Sequence, residues 1–138
     1  MSNAHLLNQY QKNLVYSATP IQIVLMLYDG MIGSIEKGKV ACSDKNYFEL
    51  NACFLKAQQL IAELIHSLDM EKGGEIAQHL YNLYEFFYEQ IVLVNLTKDV
   101  SQIEPSLMMI KELREGWAKI EADTRLGELD QIGGQCAS

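Results

Sequence analysis

One short pattern in the sequence could hold a metal ion: Glu63 and His66 are separated by two residues. Helical bundles with two metal ions use this Glu-x-x-His spacing on two helices and a further glutamate on each of the other two. A second copy is missing, because Glu75 and His79 are four residues apart. Glu63 and His66 also flank the apolar stripe of their helix instead of lying on it. We therefore interpret them as an exposed carboxylate–imidazole pair, and we predict neither a metal site nor a cofactor.

The remaining reactive side chains do not match a catalytic motif. None of the three histidines neighbours a cysteine or serine in a nucleophile elbow. The cysteines Cys42, Cys53 and Cys136 lack the close pairing of a zinc site. Cys42 and Cys53 fall on or near apolar stripes, which favours packing in the core. We therefore predict that the protein is not an enzyme.

Length and charge limit the classes of protein that fit. The 138 residues suit one domain, and 49% of them are apolar, which is enough for a core. The net charge of −7 argues against a nucleic-acid-binding protein. The longest uncharged apolar run, residues 91–96, is much shorter than the ~20 residues of a membrane span. Since residues 1–10 also lack the pattern of a secretion signal, we predict a cytoplasmic protein without membrane insertion.

Four long segments carry apolar residues at every third or fourth position, which places those residues on one face of a helix. The predicted helices end near residues 42, 68, 97 and 120. Short polar breaks connect them, and Gly73-Gly74 provide the flexible backbone of the middle break. Such short connections predict an all-α fold, an up-down antiparallel four-helix bundle.

The whole chain, 1–138, is expected to form one domain with two accessory parts. A mobile N-terminal arm is predicted at 1–18, before the bundle at 19–120. In the tail, 121–138, we expect part of a short fifth helix that frays at Gly133-Gly134.

Side chains at the predicted helix starts are of the types that cap helices. The predicted caps are Thr19 with Gln22 for the first helix, Asp44 or Asn46 for the second, and Ser101 with Glu104 for the fourth. The first helix also contains Gly30, Gly33 and Gly38, although each glycine costs ~1 kcal/mol relative to alanine. We interpret these glycines as places where a neighbouring helix, or a helix of a partner, approaches closely.

The first and third helices carry more apolar side chains than one inward face requires. Ile23, Met26 and Leu27 are additional to the stripe of the first helix, and the third has a surplus of aromatic residues from 81 to 88. Helices that are apolar around most of their girth predict a groove outside the core. Such a groove binds an amphipathic helix or a second copy, and the arm at 6–16 could cover it.

Several motifs occur in the order that is typical of one protein family. They are Tyr10-Gln11-Lys12-Asn13, Ala18-Thr19-Pro20, residues 26–30, residues 68–77, and Leu113-Arg114-Glu115-Gly116-Trp117. Over residues 10–120 the chain resembles the flagellar secretion chaperone FliS family. The resemblance implies an all-helical, non-enzymatic protein of the cytosol. It further implies binding to the disordered C-terminal segment of flagellin, which prevents premature polymerisation and delivers flagellin to the flagellar export apparatus.

Under this hypothesis we predict the residues that contact the partner. The predicted covering arm contains Tyr10, Leu14 and Val15, and the predicted groove residues are Ile23, Leu27, Tyr81, Tyr84 and Tyr88. We interpret Asp29 as a structural hydrogen-bonding residue and Trp117 as a core residue. The export apparatus and an anti-sigma factor are further candidate partners. The alternative hypothesis is a dimeric helical adaptor that binds another regulatory protein.

Overall fold

The computed structural model describes residues 15–16 and 19–137, and describes side chains as far as residue 130. The elements are α1 (Ile21–Ser43), α2 (Tyr47–Ser67), α3 (Gly74–Thr97), a 3-10 turn (Val100–Ile103) and α4 (Glu104–Ala137). Because these elements are all helical and the described residues contain no strand, the predicted all-α class is confirmed. In this described part, no helix combines the length and the apolar content needed to cross a membrane.

The four helices pack around one apolar interior. Helix α1 lies against both α2 and α4, and α2 also lies against α3. Helices α1 and α3 face each other across the interior, where the hydroxyls of Tyr28 and Tyr84 meet at 2.5 Å. The largest fully buried side chains are Tyr16, Tyr28, Tyr84, Phe54, Phe87, Ile21, Met31, Ile35, Leu50, Ile61, Leu64 and Ile91.

The start of α2 has the cap that its sequence predicts, whereas the start of α1 does not. The side chain of Asn46 accepts a hydrogen bond from the backbone N–H of Glu49 at 3.1 Å. The predicted cap by Thr19 is wrong, because α1 begins after Pro20 and has no side-chain cap. The Pro20 carbonyl itself accepts the backbone N–H of Ile23 at 3.0 Å.

The predicted capping box at the start of α4 is also wrong. Ser101 lies inside the 3-10 turn and not at the N-cap of α4, which begins at Glu104, and its hydroxyl donates to the carboxylate of Asp99 at 2.6 Å. The 3-10 turn runs directly into Glu104, and Pro105 occupies the first turn of α4 as predicted. Proline is tolerated there because the first backbone N–H groups of a helix have no partner within the helix.

The break between α2 and α3 forms a closed turn. The Asp69 carboxylate accepts the backbone N–H of Glu71 at 3.2 Å and that of Lys72 at 2.9 Å. Gly74 has φ +55°, a left-handed conformation that strains other residues, whereas Gly73 remains right-handed. The sequence therefore located this turn correctly.

Helix α4 is longer than its sequence predicts. It continues to Ala137 through Gly133-Gly134, so the predicted separate fifth helix is wrong. A glycine costs a helix only about 1 kcal/mol, whereas a proline costs about 3 kcal/mol, so glycine by itself does not end a helix. The only prolines in the chain are Pro20 and Pro105, and neither interrupts this segment.

Two of the three α1 glycines permit close helix approach. A Cβ atom on Gly38 would lie 2.5 Å from a ring carbon of Phe54, and one on Gly30 would lie 3.0 Å from a methyl carbon of Leu60. A Cβ atom on Gly33 would have no neighbour within 4 Å. Close approach of a neighbouring helix is therefore confirmed for Gly38 and Gly30, whereas no neighbouring helix approaches Gly33 and the predicted approach of a partner helix there stays a prediction.

This difference predicts opposite effects of two alanine substitutions. Gly38→Ala is expected to lower the free energy of unfolding by about 1–3 kcal/mol, because the core around Phe54 becomes overpacked. Gly33→Ala, the control, should raise it by up to about 1 kcal/mol through helix propensity alone. Urea unfolding measures both, and a shift of the same sign in the two variants would contradict the packing at Gly38.

Candidate protein-binding groove

The two described residues ahead of Thr19 are held against the bundle. Val15 and Tyr16 are both buried. The backbone N–H of Asp69 donates to the Val15 carbonyl at 2.7 Å, and that of Thr19 donates to the Tyr16 carbonyl at 2.8 Å. Of the predicted covering arm, Val15 is therefore an interior residue here, while Tyr10 and Leu14 lie outside the described residues.

Three tyrosine hydroxyls meet inside the bundle. The Tyr84 hydroxyl is hydrogen-bonded to that of Tyr16 and, at 2.5 Å, to that of Tyr28. All three side chains are fully buried. The prediction that Tyr84 lines an outer groove is corrected by this position. Tyr84 belongs to the inward stripe of α3, in helical register with Leu80 and Phe87, and its hydroxyl is satisfied by the other two tyrosines.

Burial keeps the three tyrosines neutral. It raises the pKa of Tyr28 to about 12, because the phenolate would lose its hydration. Burial also raises the pKa of Tyr16 and of Tyr84 well above the usual value for tyrosine. At neutral pH each hydroxyl therefore retains its proton and can donate one hydrogen bond.

Trp117 lies beside this cluster. Its ring stands edge-on to that of Tyr16, with centroids 5.0 Å apart and planes at 71°. The side chain is only 8% exposed, which confirms the prediction of a core position. Its Nε1 atom is buried without a hydrogen-bond partner.

An apolar groove opens between α3 and α4 next to Trp117. Its volume is about 370 Å³. The groove is lined by Leu83, Met109, Glu112, Leu113, Gly116, Trp117 and Ile120. A Cβ atom on Gly116 would have no neighbour within 4 Å, so the missing side chain at this position helps to keep the groove open.

Exposed apolar side chains lie on the same face of α3 as Leu83. Phe86 is 45% exposed and Leu93 is 44% exposed. They follow Leu83 by three and ten residues, which places all three on one face of α3. Met109 on α4 is itself 38% exposed. The surface therefore has the elongated apolar form that accepts a helix.

The two sides of α4 are held differently. Toward α1, Arg114 pairs with Asp29 at 2.9 Å and Lys111 pairs with Glu36 at 2.7 Å. This contact confirms the hydrogen-bonding role predicted for Asp29. Toward α3, no side-chain hydrogen bond or ion pair is found within the described part of the chain. Although exposed pairs contribute only about 0–1 kcal/mol each, they tie α4 to α1 and leave its edge toward α3 unbridged.

The other predicted groove residues are not brought together. Ile23 is 44% exposed on α1, and Leu27 is partly buried. Tyr81 is partly buried on α3, and Tyr88 is exposed beside Ala62 and Ile65 of α2, where a second depression of about 280 Å³ lies. Because α1 and α3 face each other across the interior, their outer surfaces point to different sides of the bundle.

The spacing of the groove-lining residues in the sequence predicts helix–helix packing and not an open groove. Leu113, Trp117 and Ile120 have the three- and four-residue spacing of a helix–helix seam. The distinguishing feature was Gly116, a residue without a side chain inside that seam. Among the described residues, no group of three or more histidine, cysteine or acidic side chains could hold a metal ion, and both Glu63 and His66 are exposed.

Comparison with known proteins shows the family to which the chain is related. The family model described as "Flagellar protein FliS" matches residues 2–124. The chain is similar to the flagellar secretion chaperone FliS of Campylobacter jejuni, with 32% identity over 121 residues, 87% of this chain and 94% of the relative. It is 34% identical to the protein of the same name from Vibrio cholerae over 104 residues, 75% of this chain and 76% of the relative. The Salmonella typhimurium protein of that name is 30% identical over 110 residues, 79% of this chain and 82% of the relative.

Proposed function

This chain belongs to the flagellar protein FliS family, and we propose that it is a cytoplasmic export chaperone that binds the disordered C-terminal segment of flagellin. Binding prevents premature polymerisation and allows delivery of flagellin to the flagellar export apparatus. The single observation that carries this proposal is the open apolar groove between α3 and α4.

The shape of the groove suits a segment that folds as it binds. A disordered partner loses chain entropy when it becomes ordered, so it needs a long apolar contact to offset that loss. Leu83 on α3 lines the groove together with Met109 and Leu113 on α4, and the exposed Phe86 and Leu93 continue the apolar surface of α3. An amphipathic helix of the partner can place residues at positions i, i+3, i+4 and i+7 along this surface.

We propose that the partner enters next to the buried residues Val15 and Tyr16. Tyr16 packs against Trp117, which lines the groove, and hydrogen-bonds Tyr84 beneath it. In the proposed cycle the flagellin segment displaces Tyr16 together with Val15. The apparent affinity is then the intrinsic affinity multiplied by the fraction of molecules in which Val15 and Tyr16 are undocked.

The second depression supports a partner that continues around the bundle. Tyr88 lines it, and Tyr81 lies one helical turn before Glu85, another of its lining residues. We place further contacts of the flagellin segment at Tyr81 and Tyr88, and assign Ile23 and Leu27 on α1 to the far end of its path. Tyr84 is fully buried, so we propose that it contacts the partner only after Tyr16 has been displaced.

Isothermal titration of the full chain with the C-terminal segment of its flagellin tests the proposal. A segment of about 40 residues is long enough for two or more helices of ordinary length. We expect one-to-one binding with Kd of about 1 μM or tighter, and a gain of helical circular dichroism on mixing. Trp117 is the single tryptophan, so its fluorescence should change as Tyr16 departs. A folded protein that shows no binding would refute the chaperone assignment.

A further inference from the structure

The groove between α3 and α4 contains one side chain that can be oxidised under mild conditions. Met109 lines the groove together with Leu83 and Leu113, and it is 38% exposed. Solvent therefore reaches this thioether, and a thioether is converted to a sulfoxide by oxidants such as peroxides. Met108, the preceding residue of α4, is 66% exposed but does not line the groove. Of two adjacent and accessible methionines, only Met109 thus lies where the partner is proposed to bind.

The other described methionines lie away from this groove. Met31 is fully buried in the core, whereas Met26 on α1 and Met70 in the turn before α3 are exposed. None of the three lines the groove. Oxidation of the described surface can therefore change several methionines, but it changes the groove lining only at Met109.

A sulfoxide at Met109 would place a polar oxygen in a groove that offers it no hydrogen-bond donor. Among the lining residues, only Glu112 and Trp117 have polar side chains. The Glu112 carboxylate accepts hydrogen bonds but does not donate them, and Nε1 of Trp117 is buried out of reach of solvent. Once an apolar partner covers the groove and excludes water, the sulfoxide oxygen would remain unsatisfied, which is destabilising.

We infer that Met109 is a modification site, at which oxidation by a peroxide weakens binding of the partner. The inference rests on the proposed function and adds a chemical control of the same groove. The Met109 sulfur attacks one oxygen of hydrogen peroxide, so that an S–O bond forms while the O–O bond breaks. The sulfur loses two electrons, and the second oxygen leaves as hydroxide, which takes the proton of the transferred oxygen and becomes water.

The modification is reversible. A methionine sulfoxide reductase returns the side chain to the thioether. The two electrons come from a dithiol, which becomes a disulfide while the sulfoxide oxygen leaves as water. Met109 can therefore pass between an apolar form that suits the partner and a polar form that does not.

The test titrates full-length protein with the C-terminal flagellin segment before and after peroxide treatment. The protein is treated alone and the hydrogen peroxide is removed before titration, so the segment stays unmodified. We expect treated wild-type protein to bind about tenfold more weakly, the effect of burying one unsatisfied polar group. Reductase and dithiothreitol should restore the affinity. Circular dichroism checks that treatment leaves the protein helical.

Two leucine substitutions identify the responsible residue. Met109→Leu should keep the affinity of its own untreated form after treatment, because leucine has a similar volume and is not oxidised by peroxide. Met108→Leu is the matched control and should lose affinity as wild type does. Mass spectrometry of peptides then follows both sulfoxides in wild-type protein. Bound flagellin segment should slow oxidation of Met109 and leave that of Met108 unchanged.

The outcomes separate the two proposals. Unchanged affinity of protein that carries the Met109 sulfoxide overturns the inference alone, as does an equal loss of affinity in treated Met109→Leu protein. The same holds if peroxide oxidises Met108 and not Met109, or if the bound segment fails to protect Met109. If untreated protein remains helical but does not bind the segment, the proposed function fails, and this inference fails with it.

Discussion

Gly116→Leu is expected to weaken binding of the flagellin segment about 10- to 100-fold, the range that corresponds to a steric cost of about 1–3 kcal/mol. The new side chain has room, because a Cβ atom at Gly116 meets nothing within 4 Å. That room is the groove itself, which Gly116 lines together with Leu83 and Leu113. A leucine would therefore fill the space that the partner helix needs.

The same substitution should not harm the fold. Leucine has a higher helix propensity than glycine by somewhat less than about 1 kcal/mol, so the free energy of unfolding should stay equal or rise. Gly33→Leu is the matched control, because Gly33 lies inside α1, also has no neighbour within 4 Å, and is outside the groove. Titration with the flagellin segment compares the two variants. Equal affinities for Gly116→Leu and wild type would show that the partner uses another surface.

Tyr84→Ala is expected to lower the free energy of unfolding by about 3–5 kcal/mol, a large part of the 5–15 kcal/mol that stabilises an ordinary domain. The side chain is fully buried at the centre of the bundle. Its loss leaves a cavity and removes the hydrogen-bond partner of both Tyr16 and Tyr28. Tyr84→Phe keeps the ring and should cost only about 1–3 kcal/mol, the cost of the unpaired hydroxyls.

Phe48→Ala is the control for aromatic truncation. Phe48 is 85% exposed on α2, so its removal should change the free energy of unfolding by less than about 0.5 kcal/mol. Urea unfolding, followed by Trp117 fluorescence and by circular dichroism, measures all three variants. A loss below about 1 kcal/mol for Tyr84→Ala would be incompatible with a central buried position.

The spacing of apolar residues in the third helix does not determine which aromatic side chains face the interior. Aromatic residues crowd the third helix from 81 to 88, and spacing alone indicates that some of them must lie off the inward face. It does not indicate which, because a helix can be rotated by one residue and still present an apolar stripe. Contacts with Tyr28 and Tyr16 decide that Tyr84 points inward and Tyr88 outward.

Local features of the chain were predictable because their causes are local. The helical spacing of apolar residues, the cap by Asn46 and the turn at Gly74 each depend on residues only a few positions apart. Together they identified the all-α class and three of the four helix ends. The caps at Thr19 and Ser101 failed because α1 begins after Pro20 and α4 begins after a 3-10 turn that contains Ser101, so neither residue stands at the N-cap position.

The sequence by itself therefore determined the helices, the middle turn and the family resemblance, since these follow from residue order over short distances. Only the tertiary structure shows where the apolar groove lies. The groove between α3 and α4 joins Leu83 to Gly116 and Trp117, more than 30 residues away. Tyr16 likewise contacts two distant helices, through the hydroxyl of Tyr84 on α3 and the ring of Trp117 on α4. Such contacts depend on how whole helices are placed, and no short-range pattern encodes that placement.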